Sequence, residues 1–310
     1  MSLDVRDAYP DPVAALQRGL ASEPEVVFGP YGSGPAVRAL AHTNHPVWNH
    51  GGASARLCWP DFPRCINTLA PATRYFRGAL EAVRHADSTA SSVALLHVRT
   101  GFGNDVARGA LADAERLGFR VTTTGFAKGE GERAAREAGA ADVLLVAAGF
   151  ADEQAAARVL LRRTWRVAAF VGAGVEEVLR ELGERREGLL GPAQWIAAAA
   201  PVPDEGPDTA WFAERYRAPG GGPPPYPAVQ AFAAGLLAAR CLRDAGRAEP
   251  DAQLAAARAL ACTTLFGPFR LDPETGLQVG HEVLTVQWQD GARRVVWPQS
   301  RAERALAISR

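Results

Sequence analysis

The sequence predicts an α/β protein whose strands form parallel sheets, and three observations carry that prediction. Apolar runs alternate along the chain with helix-forming stretches, joined by turns of small residues: Val26-Val27-Phe28 stops at Gly29-Pro30-Tyr31-Gly32-Ser33-Gly34, and a helical run follows to Ala41. Two runs, Ser92 to Val98 and Ala141 to Ala148, are apolar almost throughout, the pattern of strands buried on both faces. Helices between successive strands make those strands parallel and cover the sheet on both sides. The chain has 310 residues, 47% of them hydrophobic and 22% charged, enough for two compact domains.

Leu3 to Asp7 reads as a short strand and Tyr9-Pro10-Asp11-Pro12 as a turn. A helix over Val13 to Leu20 is capped by Asp11, with Pro12 at its first position. Pro46 to Asn49 is a strand ending in a second small-residue loop, Asn49-His50-Gly51-Gly52-Ala53-Ser54. Ile66 to Leu69 reads as a crossing segment and Pro71 to Arg84 as an amphipathic helix. The strand Ser92–Val98 ends in Arg99-Thr100-Gly101-Phe102-Gly103 and feeds a helix from about Val106 to Leu117. Strands at Phe119–Thr124, Ala141–Ala148 and Arg166–Val171 alternate with helices at Gly131–Ala138, Glu153–Arg162 and Val175–Leu182. A Pro-rich stretch from Ala200 to Gly206 reads as a second crossing, and Thr209 to Arg217 as a helix. Gly220 to Pro225 is a flexible insert, followed by a long Ala-rich helix over Tyr226 to Ala245 and another over Asp251 to Ala261. Near the end, Val283–Trp288 and Arg293–Trp297 flank an Asp290-Gly291 turn, the signature of a hairpin, and Arg301 to Arg310 is a loose helical tail.

Composition removes several functions. Thirty-four basic residues balance thirty-four acidic ones, which argues against a nucleic-acid partner. No apolar run approaches the length of a membrane span. The first residues carry no basic and apolar leader, so the chain reads as cytoplasmic as it stands, or extracytoplasmic if an export signal lies upstream. Cys58, Cys65, Cys241 and Cys262 lack zinc-site spacing; two loop-closing disulfides, Cys58–Cys65 and Cys241–Cys262, stand against the favoured reading of buried free thiols. His42, His45 and His50 cluster without the spacing of a metal pair on one helix face. Gly32-Ser33-Gly34 is not a nucleophile elbow, because Tyr31 stands where the first Gly is required, and Gly172-Ala173-Gly174 lacks the last Gly of a dinucleotide loop.

Ligands of parallel α/β sheets bind beyond the carboxyl ends of the strands, where these loops lie. The first loop leaves backbone N–H groups and the Ser33 hydroxyl at a helix N-terminus, a setting that favours an anion. Helix capping is the competing role for Ser33. His50 is a candidate hydrogen-bonding group in the second loop, and Phe102 and Phe150 lie at loop tips after strands. Tyr226 and Gln194-Trp195 line either a site or a hinge.

In their order and spacing, Gly29 to Gly34, Asn49 to Ser54, Thr100-Gly101-Phe102-Gly103, Gln194-Trp195, Tyr226 to Ala231, Phe266 to Arg270 and Gln287 to Gly291 resemble type I periplasmic solute-binding proteins, in particular the branched-chain amino acid and amide binding group of ABC transporters. The resemblance implies two Rossmann-like lobes with parallel sheets joined by a three-crossover hinge. Lobe 1 would hold residues 1–69 and 200–282, lobe 2 residues 70–199 and 283–298, and residues 299–310 a C-terminal tail. The implied function is to close these lobes around an amino acid, amide or related small polar ligand, as the binding component of an ABC importer, without catalysis or cofactor. An ABC permease would be its partner. The alternative is a cytoplasmic ligand sensor of the same fold controlling a partner regulator, and a homodimer is left open.

The resemblance also assigns roles. A ligand carboxylate would meet the Ser33 hydroxyl and the backbone of Gly51, Gly52 and Ala53; Tyr31, His50, Ser54 and Tyr226 are further candidates read from the residues themselves. Phe102 and Phe150 would cover the ligand. The position that receives an ammonium group falls at Gly172-Ala173-Gly174, which has no carboxylate, so Asp152 or Glu176 would have to substitute. Finally, the chain starts at what resembles the family's second strand, which leaves three expectations: a truncated start, a gap filled by another chain, or a rearranged lobe.

Overall fold

The computed structural model describes residues 3–216, 222–246 and 249–309. Arg217, Gly220, Gly221 and Arg310, which the sequence places in a helix, an insert and the tail, lie outside them. The chain divides into two compact units. Unit 1 is Met1–Pro71 with Gln194–Glu282, and unit 2 is Ala72–Ala193 with Val283–Arg310.

Unit 1 is built on a three-stranded parallel sheet, β1 (Val27–Phe28), β2 (Val47–Asn49) and β3 (Cys65–Asn67), in that order. Val27 pairs with Val47, and Val47 with Cys65. The helix before β1, α1 (Pro12–Leu20), begins as its sequence dictates: the Asp11 side chain accepts from the N–H groups of Val13 and Ala14. The helix after β1, α2 (Ser33–Leu40), sets Ala36, Ala39 and Leu40 against Val27, Val47 and Leu57. Leu3 to Asp7 forms no strand, although its alternation suggests one. Residues 66–69, expected to be only a crossing, begin as β3 instead. Ile66 is fully buried there in a second cluster with Trp48, Phe269 and Leu237.

Helices α7 (Thr209–Arg215), α8 (Tyr226–Ala245) and α9 (Pro250–Ala259) and a small antiparallel pair, β9 (Ala261–Thr264) with β10 (Gly267–Arg270), complete unit 1. The residues that β9 takes were assigned to the end of a helix and the loop beyond it. Leu260, Cys262 and Phe269 join the Trp48 cluster, so packing against β10 decides the conformation there.

Unit 2 carries a seven-stranded sheet. Its strands are β4 (Ser92–Val98), β5 (Arg120–Phe126), β6 (Val143–Ala147), β7 (Val167–Phe170), β8 (Leu190–Ala193), β11 (Leu284–Gln289) and β12 (Ala292–Trp297). Their order is β12-β11-β8-β7-β6-β4-β5, with β4 to β8 mutually parallel, β11 antiparallel to β8 and β12 antiparallel to β11. The core strands are buried along their length, with Leu144, Leu145, Val146, Leu95 and Leu96 almost inaccessible. Helices α3 (Arg77–Ala86), α4 (Gly101–Arg116), α5 (Gly131–Glu137) and α6 (Phe150–Leu160) pack around it. The hairpin turn has Asp290 at φ 55° and Gly291 at φ 74°, the two left-handed residues that its Asp-Gly signature calls for.

Two readings need correction in unit 2, and one strand had not been expected. The helix expected over Val175–Leu182 does not form. Two 3-10 turns take its place, at Val171–Gly174 and Arg180–Arg186, and Leu179 at φ 60° breaks the helical path. Residues 190–193 are a strand despite Gly191 and Pro192, because β11 pairs with them along their full length. The C-terminal tail has one 3-10 turn, Gln299–Arg301, and is otherwise irregular: Ser309 N–H binds the Arg166 carbonyl and Ala307 N–H the Gln287 side chain.

Candidate functional site

In unit 1 the candidate residues gather where β1 and β2 end. Phe28 is followed by Gly29, whose N–H binds the Trp48 carbonyl at 2.9 Å, and the chain turns at Gly32, whose N–H binds the Gly51 carbonyl at 3.0 Å. The two loops are therefore tied to each other. Gly51 is required there: a Cβ on it would lie 2.7 Å from the Tyr31 Cα. The second loop is shaped by Asn49, which is fully buried. Its Oδ1 accepts from Gly52 N–H at 2.8 Å, and its Nδ2 donates to the Gly52 carbonyl and to Asn67 Oδ1, both at 2.7 Å. Asn67 in turn donates to the carbonyls of Leu57 and Gly276. This network ties the loop to β3 and to the segment at Gly276.

Helix α2 starts in that setting with no side chain capping it. Gly32 takes the N-cap position, at φ 96°, so Ser33 is the first helical residue rather than the cap. The first intrahelical bond runs from Ala36 N–H to the Gly32 carbonyl, and Pro35 has no N–H. Ser33 and Gly34 therefore present the donors of the first turn, with Ser33 half-buried and Gly34 exposed. Tyr31 stands beside them, 52% exposed, and its hydroxyl meets that of Tyr226, the first residue of α8, at 2.5 Å.

The remaining unit 1 candidates divide. His50 packs edge-on against Phe28, and its Nδ1 is buried without a partner. Burial lowers its pKa, partly offset by its bond to the Gly29 backbone, so the ring is neutral at pH 7. Gly52 has its N–H committed to Asn49 and is not a free donor. Ala53 and Ser54 are buried, and the Ser54 hydroxyl accepts from Arg56 N–H at 3.3 Å. Gln194 and Trp195 are buried in unit 1, donating to the carbonyls of Ala70 and Leu265.

Gln230 lies in the Tyr226 to Ala231 stretch that carries the resemblance but was given no role in the site. It lies one turn beyond Tyr226 on the same face of α8, fully buried, and neither its Nε2 nor its Oε1 has a partner. The signal was present: a polar residue among the buried Val229, Ala233, Ala234 and Leu237.

In unit 2 the corresponding turns follow β4, β5, β6 and β7, whose parallel register puts them on one edge of the sheet. Thr100 caps α4 by accepting from Gly103 N–H at 3.2 Å, which places Phe102 in the first turn, edge-on to Tyr75. Phe150, 51% exposed, opens α6.

Asp152 does something different from the role expected of it. It is buried, and its Oδ1 accepts from the N–H groups of Gly129 at 3.0 Å and Gly131 at 3.1 Å, pinning the entry of α5. Its neighbour Glu153 is fully buried. Oε1 accepts from Ala148 N–H at 3.1 Å and Oε2 from Gly172 N–H at 2.6 Å, so one carboxyl joins the turns after β6 and β7. Burial pushes its pKa up to about 8 against the pull of those N–H donors. Gly172 has no room for a side chain, since a Cβ would stand 2.6 Å from Glu153 Oε2. Glu176, the other acid considered for an ammonium group, pairs with Arg293 at 2.9 Å.

No group of three or more His, Cys, Asp or Glu among the described residues is placed to hold a metal ion, and the four cysteines are free. Asp152 and Glu153 hold backbone N–H groups and Glu176 holds an arginine.

Comparison with known proteins follows this geometry. A family model described as periplasmic binding protein matches residues 11–293. The fold is similar to that of a leucine-binding protein from Thermotoga maritima, with a TM-score of 0.76 and 16% identity over 94% of this chain and 85% of that one. It is similar also to an ABC-transporter solute-binding protein of Rhodopseudomonas palustris in complex with 3,4-dihydroxybenzoic acid (TM-score 0.74, 18% identity, 94% and 83% covered). A third, from R. palustris in complex with benzoate, gives a TM-score of 0.71 at 16% identity, with 96% and 84% covered. The parallel sheets, the order of the loops and the matched span lead to one conclusion: the chain belongs to the type I periplasmic binding protein family, whose members are solute-binding proteins and not enzymes.

Proposed function

We propose that this protein binds a small organic carboxylate as the solute-binding component of an ABC importer. The observation that supports it most is the open N-terminus of α2. Its first-turn N–H groups and the Ser33 hydroxyl stand beside a loop fixed by Asn49, and no side chain caps them among the described residues. Backbone donors and the helix dipole favour an anion there, and a pre-set loop lowers the cost of ordering on binding. Tyr31 and Tyr226 supply aromatic surface and hydroxyls beside it. Among proteins of similar fold, the solved complexes with benzoate and dihydroxybenzoic acid and the leucine-binding protein make carboxylates the shared chemistry.

Isothermal titration with benzoate, 4-hydroxybenzoate and leucine tests this reading, with Ser33→Ala as the control variant. The expected result is saturable binding of at least one carboxylate and a loss of about tenfold or more in S33A, the worth of a hydrogen bond to a charged group. Failure of all carboxylates, or equal affinity in S33A, contradicts it.

A further inference from the structure

We infer that Asn67 is a positioning residue for the α2 N-terminus: acting through Asn49, it sets ligand affinity without touching ligand. The inference rests on the carboxylate reading above and deepens it, by naming what holds that site in place. Asn49 ends β2, Asn67 ends β3, and the two are partners in register. Their side chains are 0% and 3% exposed. A buried amide costs free energy unless its donors and its oxygen are bonded. Here all of them are. Asn67 Nδ2 donates to the Leu57 carbonyl at 2.6 Å and to the Gly276 carbonyl at 3.0 Å. Asn67 Oδ1 accepts from Asn49 Nδ2 at 2.7 Å and from the Cys65 thiol at 3.4 Å. Asn49 gives its other N–H to the Gly52 carbonyl and its oxygen to the Gly52 N–H.

These bonds form a chain with a direction. Asn67 is anchored to two backbone carbonyls, one of them 209 residues away in sequence. By accepting from Asn49 it decides which way that amide faces. The flipped amide would set Asn49 Oδ1 against Asn67 Oδ1 and aim its N–H groups at the Gly52 N–H. Asn49 thus holds both backbone groups of Gly52. The adjoining Gly51 carbonyl receives the Gly32 N–H at 3.0 Å, and Gly32 is the N-cap of α2. Thr68 pins the same strand end, since its N–H and its hydroxyl both reach the Asn49 carbonyl at 3.1 Å. Little slack exists along the chain: a Cβ on Gly52 would lie 2.9 Å from Asn49 Oδ1, and one on Gly51 2.7 Å from the Tyr31 Cα. A shift at Asn67 is therefore passed to Ser33 and the first-turn N–H groups, and such donors serve a ligand only when held within about 0.5 Å.

Calorimetric titration with benzoate tests this in Asn67→Ala, in Ser33→Ala, in the double variant, and in Leu254→Ala, which opens the Trp48 cluster at α9. N67A should bind benzoate about tenfold or more weakly than wild type. The S33A substitution should cost less in the N67A background than in wild type, because both act on the same donors. L254A, destabilised with the chain of bonds intact, should keep wild-type affinity. Wild-type affinity in N67A, or an S33A cost equal in both backgrounds, overturns the inference and leaves the carboxylate reading standing. So does an affinity loss in L254A that matches N67A, since it would mark a general effect of stability. Amide hydrogen exchange of the unliganded wild-type protein needs no variant: the Gly32 and Gly52 N–H groups should open together, with one protection factor. Separate openings overturn the inference even where N67A fails to fold. If wild type binds neither benzoate, 4-hydroxybenzoate nor leucine, the carboxylate reading falls and the inference with it.

Discussion

Both sheets end in turns that expose backbone N–H groups, and the two units treat those groups in opposite ways. In unit 2 the protein fills them with its own carboxylates: Asp152 caps the entry to α5, and Glu153 bridges Ala148 and Gly172 across neighbouring strands. In unit 1 the side chain that fixes the turn is a neutral amide, Asn49, and the α2 N-terminus has no side-chain acceptor. The difference is one of acceptors: in unit 2 the chain's own carboxyl groups occupy the turn N–H groups, and at the α2 N-terminus no such side chain is seen among the described residues. The proposed ligand site is the turn the chain leaves unoccupied.

The comparison breaks first at Glu153. Replacing it by Ala orphans two buried N–H groups and opens a cavity, an expected loss of about 3 kcal/mol or more in chemical denaturation. If E153A is as stable as wild type, the carboxylate is not the strut described. Asp152→Ala removes a cap and should cost about 1–2 kcal/mol with benzoate affinity unchanged. A selective loss of affinity in D152A would return that residue to the binding site. Ser33→Asp gives α2 the internal anion that unit 2 already has. It should raise stability by about 0.3–1 kcal/mol through the helix dipole, and a destabilised S33D would show that the α2 N-terminus does not favour negative charge. Gln230→Leu removes a buried amide that has no partner, so unliganded stability should change by no more than about 1 kcal/mol. A larger loss would show that the amide is bonded in solution.

Glu153 also gives the comparison a pH axis. Burial lifts it to about 8 from the ordinary 4.5, so the folded protein holds a proton that the unfolded chain releases. That contribution is complete below about pH 4.5 and is lost as pH rises through 8. Denaturation midpoints measured from pH 5 to 9 should fall more steeply in wild type than in Glu153→Gln, which cannot titrate. Parallel profiles would mean that the N–H donors keep the carboxylate ionised throughout.

Much of this architecture was legible in the sequence where a local rule carries the answer. Asp11 with Pro12, the Asp290-Gly291 turn and the doubly buried strands Ser92–Val98 and Val143–Ala147 each encode their conformation within a few residues. What failed depends on partners far along the chain. Gly191 and Pro192 carry no strand signal of their own, yet β11 makes them a strand. Leu3 to Asp7 alternates like a strand, but no strand pairs with it among the described residues. The site shows the same division. Small residues advertised the two unit 1 loops, and Tyr31, Ser33 and Gly51 could be singled out from them. Asp152 could not be judged, because only the folded chain brings Gly129 and Gly131 to its carboxylate. Gln230 was hidden in an Ala-rich helix, where its burial depends on packing rather than on its neighbours in sequence.

The most direct test of the open α2 N-terminus is the thermal stabilisation of wild type and S33D by benzoate and 4-hydroxybenzoate. Binding to the wild-type fold should contribute about 2.7 kcal/mol at a hundredfold excess over Kd, and S33D, its site filled by its own carboxylate, should show none of it. Equal stabilisation of both proteins, or none of wild type by any carboxylate, would contradict the account.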